Sequence, residues 1–137
     1  MKLSKTSEYA IRILSYMARD TKKKYSAKNL VEKLHISDKY LRRLMTDLSK
    51  AELIYSKQGR NGGYFFAKST DKITVAQIID TVEGMDKYTG CIMGFDECSD
   101  ENPCVMHSVW VKTRNTLLKT FETTTLAKLA KAQTIKH

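Results

Sequence analysis

The stretch ISDKYLRRLMTDLSKAELIYSKQGRNGGYFFAK, residues 36–68, decides the fold. Leu41, Leu44, Met45 and Leu48 recur at i, i+3, i+4 and i+7, the spacing of one buried helix face, so a helix is expected over residues 38–50. Ser37 stands before it as an N-cap. The opposite face carries Asp38, Lys39, Tyr40, Arg42 and Arg43. Two β-prone runs follow, LIYSK (53–57) and YFFAK (64–68), joined by QGRNGG, whose Asn-Gly-Gly tolerates positive φ; this predicts a hairpin.

Working outward, Ala27, Leu30, Val31 and Leu34 repeat the helical spacing, and HIS (35–37) breaks it. Ala10, Ile11, Leu14, Met17 and Ala18 place another helix over residues 6–19. Downstream, Thr74 and Gln77 form a capping-box pattern before a helix over about 75–83, and Gly84 is a natural stop. Helix, helix, turn, helix and hairpin is the order of a winged helix-turn-helix. The expected fold class is therefore mainly α with a small β-hairpin, a winged helix-turn-helix followed by a long dimerisation helix.

That last helix is read from Asn102-Pro103, with Asn102 as cap and Pro103 in the first turn, to about residue 122. Met106, Val109, Trp110, Leu117 and Phe121 give it an apolar stripe roughly 30 Å long. A stripe of that length on so small a body marks a subunit interface. Trp110 reads as interface or core. The run Thr123-Thr124-Thr125 weakens the helix, and residues 126–131 form a separate turn. The expected division is residues 1–84 for the DNA-binding domain, 85–103 for a cysteine-containing loop, and 104–131 for the dimerisation helix and final turn.

Charge supports a nucleic-acid partner. The chain has 137 residues and a net charge of +9. Residues 1–70 hold 16 Lys/Arg against 6 Asp/Glu, whereas residues 71–137 hold 8 against 9. An excess confined to the half with the winged helix points to DNA rather than to a merely solvated surface. A helix fits the major groove, so Ser37, Asp38, Lys39, Tyr40, Arg42 and Arg43 are candidates for base edges. Arg60, Asn61, Gly62, Gly63 and Tyr64 suit a minor groove or phosphates. Lys28 joins Lys22, Lys23, Lys24 and Lys57 as phosphate contacts. No signal-peptide core or membrane span interrupts this reading, and a cytoplasmic location is expected.

Every cysteine lies in CIMGFDECSDENPCVMH, residues 91–107, spaced C-x6-C-x5-C-x2-H. An odd number of thiols in an acidic loop fits a disulfide framework poorly. Placed in a first helical turn, Cys104 would have a lowered pKa and share a face with His107. Cys91, Cys98, Cys104 and His107 suit an iron–sulfur cluster, and also zinc or a thiol switch. Idle cysteines remain the plainest alternative. His35 and His137 read as a turn and a terminal residue. An iron–sulfur redox protein is the rival from another class. Against it, the chain lacks a glycine-rich cofactor loop and a Ser/His/Asp arrangement, and no enzymatic activity is expected.

The opening MKLSKTSEYAIRILSYMA, the helix ISDKYLRRLMTDLSKAELI, the wing GRNGGYFFA and the triple-cysteine loop together resemble the Rrf2 family of bacterial transcriptional regulators, over residues 1 to about 122. The resemblance implies a homodimeric winged-helix repressor or dual regulator whose iron–sulfur cluster responds to cluster status, redox or nitric oxide. Its ligands would be Cys91, Cys98 and Cys104. Members differ in the fourth ligand, which here would be His107 or, on the first helix, Glu8, possibly supplied by the partner subunit. A [2Fe–2S] cluster is preferred over [4Fe–4S], with zinc or no metal as the alternative. The first cysteine gap is six residues where several members have five, which leaves the subgroup open.

Overall fold

The structure is a computed structural model, and it describes residues 3–132. The chain runs through α1 (Lys5–Ala18), α2 (Ala27–Leu34), α3 (Asp38–Lys50), β1 (Ile54–Lys57), β2 (Gly63–Phe66), α4 (Val75–Val82), α5 (Asp86–Thr89), α6 (His107–Thr123) and α7 (Leu126–Lys131). A 3₁₀ turn, Thr70–Lys72, precedes α4. His137 lies outside the described residues.

Serine caps start the first three helices. Ser4, Ser26 and Ser37 accept from the backbone N–H groups of Ser7, Asn29 and Tyr40 at 3.2, 3.0 and 3.3 Å. The turn between α2 and α3 depends on His35, which adopts the left-handed conformation at φ 54° and donates its N–H to the Val31 carbonyl at 3.0 Å. Few non-glycine residues enter that region, and histidine is among the more tolerant. Ile36 then drops into the core, and α3 buries Leu41, Leu44, Met45 and Leu48 against Leu14, Leu30 and Ile54.

The hairpin pairs Ile54 with Phe66 through Lys57 with Gly63, antiparallel. It is pinned to the body by Tyr25, whose carbonyl accepts from the Tyr64 N–H at 2.8 Å. This approach explains Gly63, which has φ 146° and where a Cβ would sit 2.9 Å from the Tyr25 oxygen. A Cβ on Gly62 would collide with the Lys57 carbonyl. Both glycines are thus required by the wing itself.

Helix α4 begins with the expected capping box of Thr74 and Gln77, and Gly84 closes it at φ 80°. The segment after it is not all loop. Asp86–Thr89 makes one helical turn because Tyr88 is fully buried there, edge-to-face on Phe121 at 5.7 Å. Four residues are too few for periodicity to reveal.

The expected start of the long helix is corrected. Helix α6 begins at His107, not at Asn102-Pro103, so its 17 residues span about 26 Å. Asn102 is instead locked in a tight loop with Ser99, each backbone N–H donating to the other's carbonyl at 3.2 and 3.3 Å. Cys104 therefore precedes the helix. The threonine run does end α6: Thr124 is extended, and Thr125 caps α7 by accepting from the Lys128 N–H at 3.2 Å. Residues 126–131 are a helix rather than a loose turn. The Leu126 N–H donates to Ile73 O and the Val75 N–H to Thr124 O, both at 2.9 Å, and Leu126 is wholly buried in the core built by α1 and α3.

Replacing Leu126 by alanine leaves a cavity in that core. The expected loss of about 2–5 kcal/mol would appear as a lower urea midpoint with little change in slope.

Candidate functional site

Two candidate sites emerge, a basic face and a thiol cluster. On the basic face, Ser37, Asp38, Lys39, Arg42 and Arg43 are exposed along α3. Arg42 Nε donates to both Asp38 carboxylate oxygens, at 3.1 and 2.9 Å, one helical turn back. Tyr40 is turned inward instead. Its hydroxyl bonds Thr6 Oγ1 at 2.9 Å and its ring meets Tyr9 edge-on at 5.7 Å, so it fixes α3 on α1. Arg60 and Asn61 stand exposed at the wing tip, where the Lys24 ammonium donates to the Arg60 carbonyl at 3.0 Å. Between α2, α3 and the wing lies a groove of about 340 Å³ lined by Ser26, Lys28, Arg42, Lys57 and Tyr64. Three cations converge on it. Ser26 was not singled out from the sequence, because only the folded hairpin brings Lys57 beside the start of α2.

The second site gathers the cysteines. Among the described residues, Cys91, Cys98 and Cys104 form the group of metal-binding side chains whose ligand atoms lie within 4.8 Å of one another. Cys98 Sγ is 3.5 Å from Cys104 Sγ, and Cys91 Sγ is 3.7 Å from it. His107 Nδ1 approaches Cys98 Sγ to 3.1 Å, while its Nε2 lies 3.0 Å from Asp100 Oδ1. Glu8 is not in the thiol group; it sits half-buried on α1, 3.9 Å from the Lys5 ammonium.

Local chemistry distinguishes the thiols. Burial raises the Cys91 pKa, but the backbone N–H groups of Phe95 and Met93, with help from the neighbouring thiols, outweigh it and bring the pKa down to about 7. At Cys98 the backbone of Cys104 pulls the pKa down, yet burial and the adjoining thiols of Cys104 and Cys91 win, and the net shift is upward. Cys104 does not lie in the first turn of α6, as the sequence suggested, since that helix starts three residues later. Backbone amides of a loop turn lower the pKa at Cys91.

The cluster is tied to the body through α6. The Trp110 indole N–H donates to Gly90 O at 2.7 Å, and Arg114 donates to Thr89 O at 3.0 Å, clamping the backbone just before Cys91. Trp110 is buried, as its stripe position suggested. Neither bond was legible from spacing, because each joins residues 20 or more positions apart. Three mutually close sulfurs, with an imidazole nitrogen outside that group but against Cys98, form a soft donor set that fits an iron–sulfur cluster or zinc.

A recognition-type helix, its preceding helix, a glycine-tipped wing and a basic groove together define a winged helix-turn-helix regulator of transcription. The chain belongs to the Rrf2 family, described as iron-dependent transcriptional regulators, which it matches over residues 3–132. It is 31% identical to Protein rrf2 of Nitratidesulfovibrio vulgaris, over 94% of this chain and 87% of that one. Among solved structures it resembles CymR, the global cysteine regulator of B. subtilis, with TM-score 0.79, 28% identity and coverage of 96% and 98%. T. potens IscR is similar too, with TM-score 0.76, 28% identity and coverage of 100% and 94%. As a member of a family of transcriptional regulators, the protein is not an enzyme. Among the described residues, no helix is long and apolar enough to cross a membrane.

Brief alkylation of the metal-free protein at pH 7, read by peptide mass spectrometry, should label Cys91 well ahead of Cys98. The order follows from their opposite pKa shifts, because only the thiolate reacts.

Proposed function

We propose that the protein is a homodimeric, cytoplasmic repressor whose affinity for operator DNA is set by an iron–sulfur cluster held by Cys91, Cys98, Cys104 and His107. The observation that carries this reading is the convergence of all three thiols in one loop anchored to α6, with His107 Nδ1 at the start of that helix against Cys98 Sγ. The family's description as iron-dependent supports the metal. The cluster, when bound, supplies a redox- and nitric-oxide-sensitive junction. A [2Fe–2S] form is preferred, and Glu8 of a partner subunit is the alternative fourth ligand.

Transmission has a physical route. Any shift of the Cys91 backbone pulls on Trp110 and Arg114, and α6 packs on α4 through Leu117, Leu118 and Phe121 around Val75, Ile79 and Tyr88. Helix α4 in turn rests on the DNA-binding core through Ile78. Dimeric regulators read half-sites about 34 Å apart, so a modest rotation at the dimer helix misplaces one head. The dimer itself is supported by the outer face of α6 and the residues leading into it, where Val105 and Met106 before the helix and Val109 within it stay exposed at 89%, 39% and 60%. Thr113, Thr116 and Thr120 continue that face at three- and four-residue steps.

Base readout is assigned to Ser37, Asp38, Lys39, Arg42 and Arg43, with Tyr40 steadying the helix. Arg60 and Asn61 serve the wing, on the backbone that Gly62, Gly63 and Tyr64 shape, and Lys28 and Lys57 hold phosphates.

A second reading is a single metal ion, zinc above all. Ligands on one tetrahedral zinc with bonds of about 2.3 Å leave sulfurs about 3.8 Å apart. The 3.5 and 3.7 Å separations here are close to that edge. A thiol switch, as an oxidised pair, would use the same contacts.

Anaerobic purification with iron and sulfide reconstitution should yield a coloured protein whose absorption is lost on Cys98→Ala. A colourless protein carrying one zinc per subunit would replace the first reading by the second. Arg43→Ala and Arg60→Ala should each weaken operator binding about tenfold or more in mobility shifts, leaving the absorption intact. Val109→Glu should convert the dimer to monomer by sedimentation velocity.

A further inference from the structure

The geometry points to Asp100 as a positioning residue that holds His107 in its Nε2–H tautomer, so that the Nδ1 lone pair faces the Cys98 thiol. This rests on reading the cysteine loop as a metal or cluster site. Asp100 Oδ1 lies 3.0 Å from His107 Nε2, and Cys98 Sγ lies 3.1 Å from Nδ1 on the opposite edge of the ring. An ionised carboxylate can only accept, so the hydrogen at Nε2 must be the imidazole's own. A neutral imidazole with its proton there has its lone pair at Nδ1, the atom beside Cys98 Sγ. Metal-bound histidines commonly have the second ring nitrogen held in this way, and loss of the holding group weakens metal binding.

The arrangement is specific within the acidic loop. Asp96, Glu97, Asp100 and Glu101 are all exposed, yet the His107 ring nitrogen meets Asp100. The reciprocal Ser99–Asn102 bonds, with the Asn102 N–H also reaching Ser99 Oγ at 3.2 Å, curl the chain around Asp100. The His107 side chain is 13% exposed, whereas that of Asp100 is 94% exposed. A side chain so open is outside the core, so its replacement is expected to leave the fold intact.

The test uses the full chain and three variants, Asp100→Ala, Asp100→Asn and His107→Ala. Long-range proton–nitrogen NMR of the metal-free protein should show His107 as the Nε2–H tautomer in the wild type and in Asp100→Asn, whose amide oxygen still accepts. In Asp100→Ala that preference should disappear. Cobalt(II) titration, followed by thiolate-to-cobalt absorption, should show affinity falling about 10–100-fold in Asp100→Ala and much less in Asp100→Asn. Adding Asp100→Ala to His107→Ala should cost nothing further. Wild-type affinity in Asp100→Ala, a further loss in the double variant, or an Nδ1–H tautomer in the wild type would each overturn the proposal. If the wild type takes up neither cobalt, zinc nor a cluster, the metal-site reading fails, and the tautomer measurement alone decides the role of Asp100.

Discussion

The burial of Tyr88 is the contact on which the relation between the two candidate sites depends. The residue is fully enclosed, with its ring edge-on to Phe121 and its hydroxyl donating to Glu83 at 3.2 Å. Burial, reinforced by the Glu83 charge and hydrogen bond, pushes its pKa up to about 12, so the phenol stays neutral and keeps its donor. One side chain thereby joins the end of α4 to the far part of α6. It also sets where Thr89 and Gly90 emerge, and those carbonyls are the ones that Arg114 and Trp110 hold. The cysteine loop is consequently a strap pinned at both ends to α6.

The same economy shapes the winged-helix half. Tyr25 is buried, holds Tyr64 by a backbone bond and meets Tyr16 edge-to-face at 5.6 Å, so the wing is continuous with α1. Tyr40 does the equivalent for α3 through Thr6 and Tyr9. Rigid support of this kind is what lets short polar and cationic side chains meet a groove in register. The C-terminal α7 adds Leu126 to that core, so the chain on both sides of α6 is anchored.

Much of this was legible in residue spacing. The faces of α1 to α4, the Ser37 cap, the capping box at Thr74 and the glycine-tipped hairpin all arise from interactions within a few residues, and each was read correctly; the caps at Ser4 and Ser26 were not singled out. The grouping of the three thiols was legible too, though for a partly wrong reason. An Asn-Pro pair is a good helix start, but reciprocal bonding between Ser99 and Asn102 captured it as a loop. The one-turn α5 and the role of Asp100 left no periodic trace. Tyr40 looked outward-facing by position on the helix, yet its phenol reaches around to α1.

The sequence by itself determined the winged helix-turn-helix, the basic half and the grouping of soft ligands, because helix faces, caps and tight turns are decided by neighbours along the chain. Only the tertiary structure decided which thiol is activated, which ring nitrogen faces the sulfurs, and how the loop is coupled to α6. Those outcomes hang on backbone amides near Cys91 and on bonds such as Trp110 to Gly90, which exist only after buried aromatics have brought distant segments together.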